Sequence, residues 1–304
     1  MPARSQQGLA PAIDAPVEEL QTARAGRLCY YVSRSRRGRP LVLLHSINAA
    51  PSAMEMKPLF DHYRGQRTVF APDLPGFGLS RRGPMDYEPA LYSEVIVEFL
   101  QTVVGRSADV VALSLSAEFA ARAALLEPEL FASLTLISPT GLGRREPPGE
   151  QTSARLHRLF TLPLLDSGLF RLLTSKASIR YFLNLNFTGE APAEMVDYAW
   201  STAHQPGSRH APFSFLSGRL FSRRARISLY QPLEVPVLVL YDEDPNVSFD
   251  CLPQLLEVSD YWHAVRISPS RGLPHWEQPE QTVAALDTFW RGTRTGRNAA
   301  ATAG

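Results

Sequence analysis

Cysteine is nearly missing from this chain, with Cys29 and Cys251 the only two among 304 residues. Two thiols cannot build a disulfide-stapled scaffold or complete a cysteine-based zinc site. Lysine is as scarce, at Lys57 and Lys176, so arginine carries nearly all the positive charge. The net charge is +1, so the basic excess that draws nucleic acid is absent. The short runs SRSRRGR (33–39) and SRRAR (222–226) read as solvated loop surface. No apolar run reaches 18 residues, so no transmembrane helix is expected. The opening MPARSQQGLAPAIDAP has no apolar stretch of signal-peptide type, so residues 1–18 are expected to be a disordered leader. The tail, 292–304, is expected to be frayed. The expected location is the cytoplasm. No cofactor and no metal are expected, and nothing in the sequence sets an oligomeric state.

What is present is ordinary for a globular protein: 44% apolar and 20% charged residues. At this length one large core, or a core with an insertion, is affordable. Short apolar runs recur: RLCYYVS (27–33), LVLLHS (41–46), TVFAPDL (68–74), DVVALSL (109–115), SLTLISP (133–139), PVLVLYD (236–242) and HAVRIS (263–268). Near-continuous apolar runs mark strands buried on both faces of a parallel sheet. Helix-like stretches such as ALYSEVIVEFLQTVV (90–104) and SAEFAARAALLEPE (116–129) lie between them. The alternation predicts an α/β fold with a mostly parallel central sheet flanked by helices, over 19–141 and 231–291. It breaks over 142–230, where a Leu- and Phe-rich stretch predicts a helical insertion.

The chemistry starts in VVALSLSAEFAAR (110–122), where a strand runs into Ser114 and a small-residue helix follows at once. A serine nucleophile on such a tight turn needs small neighbours two residues to either side, usually as G-x-S-x-G. Here those neighbours are Ala112 and Ser116, so the strict motif is absent while its context is present. Ser116 is a rival, but its own neighbour at +2 is Glu118, which suits the turn poorly. A serine at this place can also simply cap the helix.

With APDLPGFGLS (71–80) added to LLHS and LSLSAEFAAR, the order and spacing resemble the α/β-hydrolase fold family over roughly 41–140. VPVLVLYDEDP (235–245) and PHWEQPE (274–280) resemble it again near the end. The resemblance implies an oxyanion hole from the backbone N–H of Leu115 and one from the loop after LVLLHS, Ile47 or else Ser46. Such donors are worth about 2.7–4 kcal/mol each in a transition state. It makes 142–230 a cap over the active site. It implies an acid after PVLVLYD: Asp244, which precedes Pro245, with Asp242 in reserve. His45 is read as structural.

The base is the difficult position. Aligned without a gap on the family ending, PHWEQPE puts His275 at a second, structural histidine and Gly272 at the catalytic one. Of the seven histidines (45, 62, 157, 204, 210, 263 and 275) only His275 lies on a loop expected to face Ser114. The expected triad is therefore Ser114, Asp244 and His275. Ser at 114 excludes the relatives that attack with Asp. The implied reaction is hydrolysis of an ester, or a related acyl or carbon–carbon bond, in a small and largely apolar substrate, through an acyl-enzyme. The departures at Ala112, Ser116, Ser46 and Gly272 motivate a second reading, a catalytically impaired hydrolase-like protein that acts as a binding or assembly factor.

Overall fold

The computed structural model describes residues 8–162 and 166–302. Eight strands form one sheet: β1 (Val17–Thr22), β2 (Gly26–Ser33), β3 (Leu41–Leu44), β4 (Val69–Pro72), β5 (Ala108–Leu113), β6 (Phe131–Ile137), β7 (Val237–Glu243) and β8 (Trp262–Arg271). Their order is β1-β2-β4-β3-β5-β6-β7-β8. β1 and β2 pair antiparallel, as do β2 and β4, and every later pairing is parallel. The expected α/β architecture is the observed one.

The apolar runs fold this way because both faces of the sheet are covered. In β5, Val110 and Ala112 join a cluster with Tyr92, Phe99 and Phe119. Val111 and Leu113 point the other way, into a cluster with Phe60, Leu286 and Trp290. The first face is covered by α2 (Pro89–Phe99), α3 (Ser116–Leu126) and α9 (Leu252–Val258), the second by α1 (Lys57–Tyr63) and α11 (Pro279–Thr302). Each fully buried Val or Leu is worth roughly 1.5–3 kcal/mol, so the central strands anchor the loops at their ends.

Between β6 and β7 the chain forms α4 (Glu150–Phe160), α5 (Asp166–Leu173), α6 (Lys176–Leu185), α7 (Ala193–Ala203) and α8 (His210–Leu216). The segment is helical, as its composition predicts.

Two terminal expectations need correction. Within the expected leader, Ala12 and Ile13 are buried, 5% and 1% exposed, and β1 begins at Val17. Their side chains fill the cluster under β3 and β4, a contact that a polar-looking stretch does not advertise. At the other end α11 runs on to Thr302, across most of the tail expected to fray. Alanine-rich sequence such as NAAAT continues a helix readily. Residues 1–7, 303 and 304 of those two expectations lie outside the described residues.

The loop APDLPGFGLS is built around a buried carboxylate. Asp73 is fully buried and accepts the Ala53 and Leu79 N–H groups, each at 2.8 Å. Gly78, at φ 50°, passes so close that a Cβ there would lie 1.9 Å from the Asp73 carboxyl carbon. Only glycine fits. The motif therefore holds the backbone together and carries no reacting group.

Candidate active site

β3, β5, β7 and β8 all end at the same edge of the sheet, where open α/β sheets place their ligand crevices. Ser114 directly follows β5. Its φ is 55°, a left-handed conformation that costs a non-glycine residue roughly 1–3 kcal/mol and is often kept at functional sites. The turn is held by Ser114 N–H to the Ile137 carbonyl (2.8 Å) and Ala117 N–H to the Ser114 carbonyl (3.1 Å). Ala112 and Ser116 are both fully buried, so small side chains are what let the turn close. The rival Ser116 is fully buried and donates its hydroxyl to the His45 carbonyl. It cross-links the turn to the loop after β3, while Ser114 is half-buried on the cavity wall.

The loop after β3 is organised by a residue that the sequence reading did not single out. Glu55 is buried, and its carboxylate accepts the Ser46 N–H (2.8 Å), the Ser46 hydroxyl (3.0 Å) and the Asn48 side-chain amide (2.9 Å). Burial pushes its carboxyl above the usual range. An acidic residue inside the apolar SAMEMKPLF was the available signal, since a buried carboxylate requires donors. Because Glu55 takes the Ser46 N–H, Ile47 is the remaining one of the two expected donors. Among the described residues the Ile47 and Leu115 N–H groups donate no hydrogen bond. His45 is structural: Nδ1 donates to the Ser46 carbonyl (2.6 Å) and Nε2 accepts the Leu74 N–H (2.9 Å). Burial lowers its pKa to about 4.

Register separates the two carboxylates after β7. Tyr241 of β7 pairs with Arg266 of β8, and the next pair is Glu243 with Arg271. The extra residues of β8 loop outward and set Asp244 beside Gly272. Asp242 is held elsewhere, by Arg266 Nε (2.6 Å) and the Ser270 N–H (2.8 Å). Burial alone would raise its pKa, but these donors hold it below the usual range. Asp244 Oδ1 accepts the Asn246 and Val247 N–H groups (2.7 and 3.0 Å). Its Oδ2 meets no donor among the described residues and faces Gly272. A Cβ at Gly272 would lie 3.0 Å from that oxygen and 3.3 Å from Asn186 Oδ1. Burial raises the Asp244 carboxyl pKa, and its two backbone donors only partly offset this.

His275 is not where the sequence reading expects it, and this is a correction. It lies on the one-turn helix α10 (Pro274–Glu277), is fully buried, and is not among the residues lining the cavity. Its Nε2 lies 2.7 Å from the Glu55 carbonyl, which also accepts the Trp276 indole N–H at 2.7 Å. A carbonyl only accepts, so Nε2 carries the proton and Nδ1 is the bare nitrogen, with no partner among the described residues. Burial lowers the ring pKa to about 4. The physical reason is the turn of chain from Gly272 to Pro274, which sends position 272 toward Asp244 and position 275 inward beneath Glu55.

These elements enclose a cavity of about 340 Å³. Ser46, Ile47, Asn48, Ser114, Asp244 and Gly272 form its floor, and Leu173, Ile179, Phe182, Leu183, Met195 and Phe215 from the helical segment form its roof. Among the described residues, Glu55 and Asp244 are its only ionisable lining side chains, and no Lys, Arg or His lines it. Among the described residues no group of three or more His, Cys, Asp or Glu side chains is placed to hold a metal ion. No described helix is long and apolar enough to cross a membrane.

A profile of the Alpha/beta hydrolase family matches residues 41–286. The chain belongs to the alpha/beta hydrolase family. Solved structures agree on the fold. A serine hydrolase involved in carbazole degradation superposes with a TM-score of 0.72 at 16% identity, over 91% of this chain and 99% of its own. A meta-cleavage product hydrolase from Pseudomonas fluorescens gives 0.70 at 17% identity, over 90% and 97%. A bacterial membrane phospholipase A gives 0.67 at 20% identity, over 91% and 87%. No curated protein matches the sequence. Within this alpha/beta hydrolase, the strand ends bring Ser114, Ile47 and Asp244 to one cavity and leave His275 outside it.

Proposed function

We propose that this chain binds a small, largely apolar ester or ketone at a serine-hydrolase site whose fixed imidazole has been lost. The 142–230 segment acts as the cap that lines the apolar side. Ser114 presents its hydroxyl to the ligand carbonyl, and the Leu115 and Ile47 N–H groups receive its oxygen. Asp244 stands where an acid would orient an imidazole. The observation that carries this reading is Gly272 facing Asp244 Oδ2, with the nearest histidine in sequence, His275, engaged at the Glu55 carbonyl. A serine hydroxyl without a base is a weak nucleophile. General bases typically contribute 10²–10⁴-fold, so the protein alone turns esters over slowly.

The test is calorimetric binding of an aryl alkyl ketone, alongside cleavage of p-nitrophenyl esters of rising chain length. We expect ketone binding that weakens in Met195→Lys, and wild-type cleavage within a few-fold of Ser114→Ala. Ordinary esterase turnover that vanishes in Ser114→Ala and in His275→Ala would restore the full Ser114–Asp244–His275 triad. That second reading rests on the formed serine turn and on the free Nδ1 of His275.

A further inference from the structure

The space beside Gly272 is a site in its own right. It is bounded by Asp244 Oδ2, which has no donor, and by Asn186 Oδ1, whose described partner is the Asn246 amide at 3.0 Å. Both residues line the cavity that Ser114 lines. Two oxygen acceptors therefore face one small volume, and among the described residues no positively charged side chain lines the cavity. An anionic ligand has nothing to pair with there. A neutral or cationic group with an N–H satisfies Asp244 Oδ2. The absence of a Cβ at 272 is what opens the volume.

Resting on the binding reading above, we propose that this volume is a subsite for an imidazole-like nitrogen heterocycle carried by the ligand itself, which Asp244 orients to serve as the base that the chain lacks. The requirement is a ring with an N–H on one side for Asp244 Oδ2 and a bare nitrogen on the other for the Ser114 hydroxyl. Imidazole has both. The bare nitrogen takes the Ser114 hydroxyl proton as Oγ bonds to the ester carbonyl carbon, and the oxyanion forms against the Leu115 and Ile47 N–H groups. The resulting imidazolium returns that proton to the leaving alkoxide as the C–O bond breaks, giving alcohol and acyl-Ser114. Water then attacks the acyl carbon, losing a proton to the ring, which passes it to Ser114 Oγ as the carboxylic acid departs. The sum is ester plus water to acid plus alcohol, with the ring unchanged.

The test uses free imidazole as the probe and p-nitrophenyl butyrate as acyl donor, at fixed pH and ionic strength. We expect imidazole to raise the Ser114-dependent rate at least ten-fold with saturation, since a bound base acts at high effective concentration. The gain should vanish in Ser114→Ala and fall at least five-fold in Asp244→Ala. It should also fall in Gly272→Val, whose side chain fills the subsite, with thermal unfolding used to confirm that each variant is folded. An increase that is linear in imidazole and equal in wild type and folded Asp244→Ala is bulk catalysis and overturns the subsite. Ketone binding is measured without imidazole. Binding without an imidazole effect removes only this proposal, whereas no ketone binding removes the functional reading beneath it.

Discussion

A Cβ built on Gly272 comes within 3.0 Å of Asp244 Oδ2, closer than to any other atom outside the neighbouring residues. The carboxylate therefore addresses the side chain that position 272 lacks. Gly272→His should place an imidazole against it. We expect a Ser114-dependent rise in p-nitrophenyl ester cleavage of about 10²–10⁴-fold, in line with what a positioned base supplies. The φ of 99° costs the new side chain roughly 1–3 kcal/mol, so the melting temperature should fall. Adding Asp244→Asn should remove most of the gain. A folded Gly272→His protein that cleaves no faster than wild type would show that Asp244 is not poised as an acid.

His275→Ala separates position from sequence likeness. The histidine is buried against the Glu55 carbonyl, which keeps its Trp276 hydrogen bond when the ring is removed. We expect a loss of about 2–4 kcal/mol in stability from the cavity and the lost bond. The slow p-nitrophenyl ester cleavage should change less than two-fold under conditions where the variant is folded. Loss of a Ser114-dependent rate in the folded variant would return His275 to the role of base.

The contrast between these two positions shows what the sequence made legible. The strand runs and the tight turn at Ser114 follow from local pattern, where short-range signals translate directly into position. The Pro245 that follows favours Asp244 over Asp242 in the sequence, and in the fold the register shift after Tyr241 sets Asp244 on the cavity wall while Arg266 and Ser270 hold Asp242. The place of His275 is not legible from local pattern. Three residues of loop suffice to turn a side chain from the crevice into the core. Glu55 escaped notice because its three donors are supplied by a loop that only the folded chain brings near.

Ser114→Gly should stabilise the protein. The left-handed conformation costs a residue with a Cβ roughly 1–2 kcal/mol relative to glycine, and glycine's looser unfolded chain returns part of that. We expect a net gain of about 0.5–1 kcal/mol in chemical unfolding, with complete loss of imidazole-dependent ester cleavage. A destabilised Ser114→Gly protein would mean that the hydroxyl holds the turn and that the strain at 114 serves packing.

Glu118 gives a pH prediction distinct from catalysis. It is buried one turn along α3 from Ser114 and accepts the Thr140 hydroxyl and the Ser222 N–H (2.5 and 2.7 Å), which links the core to the end of the helical segment. Burial raises its pKa from 4.5 to about 7, with smaller opposing effects from Thr140, Ser222 and the nearby Arg122. The folded state thus holds a proton that the unfolded state releases between those values. The contribution is fully present below about pH 4.5 and is lost as pH rises through about 7, worth at most about 3 kcal/mol. Glu118→Gln preserves the network, since the amide oxygen accepts from Ser222 while its N–H donates to the Thr140 hydroxyl. The difference in unfolding free energy between Glu118→Gln and wild type, measured by urea titration at several pH values, should move in favour of the variant from pH 5 to pH 8. A difference that stays constant across that range would show that Glu118 titrates alike in the folded and unfolded chain.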